Sequence, residues 1–509
     1  MDNAPSSPAT EYSRRMEARH ARALQLEKRH IQLGNLRLLI VIAAITIAWL
    51  ALKRHAFSPA WLLVPAAVFL ALVVVHDRVI RARTCAERAE AFYQRGLARI
   101  EDRWAGSGAT GGRFSDPNHI YSADLDLFGR GGLFELLSIA RTRMGEDRLA
   151  HWLLVPSPVH DIAERHAAIT ELREGLDLRE DLAVLGADVG AAVKPDELAA
   201  WAEGRVLLHG GSIRILAAVL SLTSASALVY LLAGGPALPF LILLAVNGGL
   251  AFWDRRGVDE VVASVGNACE DLLLLSRILR RVERERFASA RLRQLVKGLE
   301  TADEPPSRSI KKLGRLTDMI HSRRNMIISA LDIPLLYSLQ LAFAVEVWRR
   351  KRGSSVRLWL DSAGEIEALL SLAAYSYEHP DDPFPEIVES SNKQALFDGE
   401  ELGHPLLPAA RCVRNSIRLE KEPQDASRER LKHVGQKHVP ARRRDQHGSR
   451  HGRRSVSCQA PSSYAPGGGN EHSRDRLTSG RPIRFLRGNH PPAPGSGRDR
   501  RQNARAIPA

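Results

Sequence analysis

The residues whose types and spacing could do chemistry lie close together in positions 401–424, ELGHPLLPAARCVRNSIRLEKEPQ. Gly403-His404-Pro405-Leu406 reads as a tight turn, and the alternation over 412–419 reads as an extended strand. His404 could serve as a general base, but a histidine held against Pro405 inside a turn reads as structural. The four cysteines, Cys85, Cys269, Cys412 and Cys458, form no C-x-x-C pair and have no histidines at metal-ligand spacing. A reducing, cytoplasmic setting follows. A strand of this kind leads towards a glycine-rich phosphate loop, yet no G-x-x-x-x-G-K-[S/T] occurs anywhere in the chain. From residue 425 onward the text becomes Arg, His, Pro, Gly and Ser without periodicity.

The elements upstream must position this stretch. The 509 residues carry a net charge of +14, which suggests a nucleic-acid binder until the charge is located. Residues 425–509 hold 19 basic and 6 acidic side chains, leaving 53 and 52 upstream, so the first 424 residues are almost neutral. The first 30 residues are rich in Arg and Glu with no apolar centre, which excludes a cleavable signal peptide.

Two apolar runs, 38–52 and 60–75, are free of charge and separated by Lys53-Arg54-His55 and a Ser-Pro. Trp49 and Trp61 flank the shared loop, as interfacial aromatics do. A second pair, 215–233 and 237–253, is joined by Gly234-Gly235-Pro236. Both pairs read as transmembrane hairpins, the alternative being buried helices of a soluble core. The Arg excess at Arg14–Arg29 and at Arg78, Arg81 and Arg83 puts the soluble parts on the cytoplasmic side, although Lys53 and Arg54 run against that orientation.

Between the hairpins, DLDLFGRGGLFELLSIARTRMGEDRLAHWLLV (124–155) predicts two amphipathic helices: Leu133, Leu136, Leu137 and Ala140 share one face, as do Leu149, Trp152 and Leu153. Arg130-Gly131-Gly132 is the turn into the first, and Pro156 and Pro158 end the second. Residues 162–185 continue as charged helix. Residues 261–299 and 311–350 predict two long helices, in which Arg280, Arg281, Arg284 and Arg286 interleave with Glu283 and Glu285 as a solvated, ion-paired face rather than a phosphate-binding arm. Glu378-His379-Pro380 marks a boundary.

This order of signals resembles the MutS family of ATPases. DLDLFGRGGLFELLSIARTRMGEDRLAHWLL is similar to the start of that family's core domain, and ELGHPLLP followed by VRNSIRLE is similar to the opening of its ATPase domain. The likeness covers about residues 115–424 and is to a membrane-anchored branch in particular, since no mismatch-reading domain precedes the core. It implies a mainly α fold. Its parts are a polar and basic segment 1–35, hairpin 36–76, core helices 77–212, hairpin 213–253, core and lever helices 254–376, the start of an α/β P-loop ATPase domain 377–424, and a disordered basic tail 425–509. It further implies ATP and magnesium as cofactors, Val413 and Asn415 in the strand that contacts adenine, a homodimer, the lipid bilayer as partner, and DNA as a doubtful one. The family often has an aromatic residue where Cys412 stands, and Val413 reads equally well as a core strand position.

The tail also reads as a shifted frame. Codons allowed for SRERLKHVGQKHVPARRRDQH (427–447), read one nucleotide later, give LVSGSSMSGKSTFLRAVGIN, a strand end, a complete P-loop and a helix start. FLRGNHPPA (485–493), shifted in the same way, gives FYAEITRL, which resembles the family's Phe-Tyr-x-Glu segment. The expectation is therefore a membrane-anchored, mismatch-repair-type ATPase whose nucleotide site is missing from the chain as written, and which is inactive. The alternatives are a helical membrane scaffold without nucleotide chemistry and a basic-tailed nucleic-acid binder.

Overall fold

The structure is a computed structural model, and it describes residues 7–53, 58–208, 211–299, 304–324, 326–388, 397–419 and 457–459. It is mainly α, with several long apolar helices and a small sheet.

The first hairpin is longer than its apolar runs. Helix α1 is unbroken over Pro8–Lys53 and α2 over Leu63–Ile100. The Arg/Glu-rich start and the apolar run are one helix across residue 35, because nothing between them breaks it. The polar halves of α1 and α2 pack together through Ala23, Leu26, Ala86, Phe92 and Tyr93. They reach the helical core where α2 meets α6.

The expected pair of helices over 124–155 is found as a single turn, α3 (Leu133–Leu137), and α4 (Arg143–Leu154). The charged helix expected over 162–185 is split at Glu174–Gly175 into α5 (Val159–Arg173) and α6 (Leu176–Ala192), followed by α7 (Pro195–Glu203). The second hairpin is α8 (Gly211–Leu232) and α9 (Leu238–Trp253).

Both long helices expected after it are broken. Residues 261–299 divide into α10 (Arg255–Val282) and α11 (Ala290–Leu299), so Glu283 and Glu285 stand at a turn, not on a helix face. Residues 311–350 divide into α12 (Pro306–His321), a short helical turn at Ser322–Arg324, α13 (Met326–Leu335) and the 42-residue α14 (Tyr337–Glu378). Pro334 removes a backbone donor at the break, and Leu336 takes the left-handed conformation with φ 47°.

Helix α14 is the axis of the core. Val356, Trp359, Leu360, Ala363, Ile366, Leu369, Leu370 and Ala373 are buried along it, against α4, α5, α7 and α10. It ends at Glu378, where the sequence places a boundary. Beyond it, β2 (Phe397–Leu402) and β3 (Asn415–Leu419) pair antiparallel, flanked by β1 (Glu386–Val388) and β4 (Ser457–Gln459) in the order β1-β4-β2-β3. β4 is a correction to the expected tail: three residues within 425–509 form a strand, parallel to β1 and antiparallel to β2. The rest of that segment lies outside the described residues.

Candidate functional site

The strand foreseen over 412–419 is present from Asn415 to Leu419, and all five of its residues are exposed. Val413, just before it, is 77% exposed and so is not the core position considered for it. Asn415 turns its side-chain amide back on the Val413 carbonyl at 3.2 Å. The Gly-His-Pro-Leu turn is closed by its own atoms together with Cys412. The His404 backbone N–H donates to Cys412 Sγ at 3.2 Å, and Leu406 N–H donates to His404 Nδ1 at 3.3 Å. The imidazole thus has a structural task, as expected, and Cys412 Sγ accepts from the backbone of the same turn. Val413 and Asn415 lie close together in the chain, and neither lines the pocket beside α4 or the one at Glu285–Lys297. The P-loop read in the shifted frame falls on residues outside the described ones.

The described residues converge elsewhere, on the turn Thr142-Arg143-Met144-Gly145. Thr142 caps α4, its hydroxyl accepting from Gly145 N–H at 3.2 Å. The same hydroxyl donates to Glu367 Oε2, and Thr142 N–H donates to that oxygen at 3.3 Å. Glu367, on α14, is buried, and burial pushes its carboxyl up to about 7 against the opposing pull of the Thr142 donors. Glycines permit the close approach. A Cβ on Gly190 of α6 would overlap the Arg141 carbonyl oxygen, and one on Gly364 of α14 would stand 2.6 Å from the Met144 carbonyl oxygen. The turn is therefore wedged between α6 and α14 with its backbone against both.

A second carboxylate orders the loop before this turn. Glu135 Oε1 accepts from the backbone N–H of Gly106 at 2.8 Å and of Gly108 at 3.0 Å, and its Oε2 accepts from Gly131 at 2.7 Å. A buried acceptor-only group with three donors is well satisfied, so Glu135 serves as a structural staple.

Beside the turn lies an open pocket of about 330 Å³ lined by Arg113, Arg141, Arg143, Lys194 and Glu146, with Gly190 and Val193. Arg113 is committed to Glu146 and Asp147, and Lys194 to Glu197 at 2.8 Å. Burial lowers the Arg141 guanidinium from its usual range, with Glu367 and Glu146 opposing. An arginine so shifted stays charged at physiological pH.

At the far end of α14, Glu378 is buried and receives Arg99 of α2 through Nε at 2.7 Å and a second nitrogen at 2.5 Å. The Tyr12 hydroxyl of α1 donates to Glu378 at 3.2 Å. The last residue of α14 is thus tied to both helices of the first hairpin. In the Arg280–Arg286 segment Arg281 is ion-paired, with Asp181 at 2.6 Å and with Glu285 at 2.5 Å.

Among the described residues three helices, α1, α2 and α8, are long and apolar enough to cross a membrane, and α9 with α10, bent by 63°, makes a fourth if counted as one span. Among the described residues no cluster of His, Cys, Asp and Glu could hold a metal ion. Sequence reasoning did not find Glu367 or Glu378, although a pair of acids in the apolar run of α14, Glu365 and Glu367, was a usable signal. Compared with family models, characterised proteins and solved structures, the chain matches none of them.

Proposed function

We propose that the chain is a membrane-anchored MutS-like protein whose helical core and lever are complete through α14 and whose nucleotide site is missing from the chain as written. One observation carries this reading. Helix α14 holds the Thr142–Gly145 turn through Glu367 in its second half and ends at Glu378, and the β2–β3 hairpin that bears the Gly-x-His-Pro turn and Asn415 follows later in the chain. On this reading one long helix lies in the chain between the stretch that resembles the family's core start and the stretch that resembles its ATPase start. In such an arrangement a nucleotide-dependent movement of the strand would be felt in the core and, through Arg99 and Tyr12, in the first hairpin. On this reading the anchoring helices lie in the cytoplasmic membrane, with Arg14–Arg29, Arg78–Arg83 and Arg255–Arg256 on the inner side, as the positive-inside rule favours. The lipid bilayer is the partner this reading requires; homodimerisation and DNA contact come with the family resemblance.

ATP and magnesium would be held by the P-loop that residues 427–447 encode one nucleotide out of register. Phosphate positioning and charge neutralisation supply most of the catalysis in this class, so the chain as written performs no ATP hydrolysis. Binding of a fluorescent ATP analogue with magnesium tests the reading. The chain as written shows none, and a version with the frame restored after codon 424 binds; a restored version that folds and fails to bind overturns it. The nucleotide sequence of codons 420–430 checks the same point, since codons incompatible with a P-loop one base away remove its basis. A helical membrane scaffold is the second reading, favoured by the missing phosphate loop. It gains if both versions stay silent.

A further inference from the structure

The chain between α12 and α14 was expected to be one lever helix; the structure breaks it at a place where the broken ends are capped by polar side chains of the second hairpin. Pro334 and Leu335 close α13, and their carbonyls have no helical partners beyond the break. Asn247 of α9, fully buried, donates its amide to the Pro334 carbonyl at 2.9 Å and to Ser224 Oγ of α8 at 2.9 Å. A carbonyl can only accept, which fixes the orientation of that amide. Ser221 Oγ of α8 lies 2.6 Å from the Leu335 carbonyl, and Gln340 of α14 donates to Ser221 Oγ at 3.0 Å.

The other side of the break is capped too. Asp332 accepts from Ser338 N–H at 2.8 Å and from Ser338 Oγ at 2.6 Å, closing the first turn of α14. Arg323 stands 3.8 Å from the second carboxylate oxygen. The Pro334 and Leu335 carbonyls and the Ser338 N–H thus have partners from α8, α9 or the break itself, while the buried Asn247 Oδ1 has none. Such provision is required only where water is not available to do it.

The depth of the caps follows from the chain. Ser221 is seven residues beyond Arg214, and Asn247 is seven before Asp254. At about 1.5 Å per residue both lie about 10 Å inside the charged flanks of α8 and α9. The apolar slab of a bilayer is about 30 Å thick. On α13, Leu331 is 36% and Ile333 47% exposed, on either side of the partly exposed Asp332, and α13 packs against both α8 and α9.

We propose that α13 is a lipid-facing half-helix that enters the bilayer beside α8 and α9, turns at Leu336 and presents Leu331 and Ile333 to acyl chains. The lever helix α14 then starts inside the membrane, so the second hairpin is joined to it by hydrogen bonds as well as by loops. This rests on the reading that α8 and α9 cross the bilayer, and the controls separate the two. A soluble protein docked on the same face is the competing occupant; the continuity of α13 with the spans and the capped break favour lipid.

The test uses the full chain in phosphatidylcholine vesicles, with single cysteines introduced as Leu331→Cys and Ile333→Cys in a background lacking the native cysteines and labelled with a small fluorophore. Brominated acyl chains should quench both labels as strongly as one at Leu241→Cys on the exposed face of α9, while a Ser276→Cys label on α10 responds to aqueous iodide instead. Quenching at Leu241 but iodide response at Leu331 and Ile333 overturns the proposal. Iodide response at all of them overturns the spanning reading of α9 as well. Carbene labelling of the unsubstituted chain from a photoactivatable phosphatidylcholine is independent of the variants. Label within residues 326–335 supports the proposal, and label confined to α8 and α9 overturns it.

Discussion

Glu367 is the residue at which the core and the long helix meet, and its charge state decides how well they fit. Its carboxyl is pushed up to about 7 from an ordinary 4.5, with burial the largest cause. Between those values the folded chain holds a proton that the unfolded chain has released. The contribution to stability is therefore full below about pH 4.5 and falls as pH rises through about 7. Glu367→Gln keeps the shape and removes the titration. Thermal unfolding in detergent should show a decline for the native chain across that window and a flatter profile for the variant, which would be at least as stable at pH 8. An unchanged slope in the variant would assign the pH dependence to another group. The Glu367 carboxyl was not singled out in the sequence because its environment is supplied by Thr142, 225 positions away. His404 was legible, since its task is met by neighbours in its own turn.

At the scale of elements, Glu378, Arg99 and Tyr12 tie the first hairpin to the end of α14. A buried pair with one member removed leaves an uncompensated charge, at a cost of about 3–5 kcal/mol, whereas replacing both with apolar groups is much milder. Glu378→Gln should lower the denaturant midpoint strongly, and Arg99→Met with Glu378→Leu should recover most of it. Equal losses for the single and double variants would mean the pair does not act as a unit. Element positions follow the sequence where periodicity is strong and uninterrupted, as in the two hairpins and in α4. They depart from it where one residue ends a helix. Glu174–Gly175 divides α5 from α6, and Leu336 divides α13 from α14 through a left-handed backbone that leucine adopts only when its surroundings impose it. Pro334 was the visible warning in that run.

For the whole molecule, the charge balance separates the tail from everything before it. The first 424 residues carry 53 basic and 52 acidic side chains, so the folded region has no net attraction for a phosphate backbone, and the 13 excess positive charges of 425–509 supply what polyanion binding the chain shows. Deleting 425–509 should abolish retention on heparin at low salt; retention by the remainder would place a nucleic-acid surface on the helical core. The amino-acid sequence by itself determined the mainly α character, the two apolar hairpins, the end of the long helix at Glu378 and the turn and strand within 401–419. Each of these depends on the polarity, period or backbone preference of residues adjacent in the chain. Only the tertiary structure decided that α1 and α2 run on from their apolar runs to meet the core, that Glu367 seats the Thr142 turn, that Arg99 reaches Glu378 across 279 positions, and that Asn247 and Ser221 cap a broken helix. Those choices depend on desolvation and on partners distant in sequence, and a buried polar group has a defined role only once the fold has taken away its water.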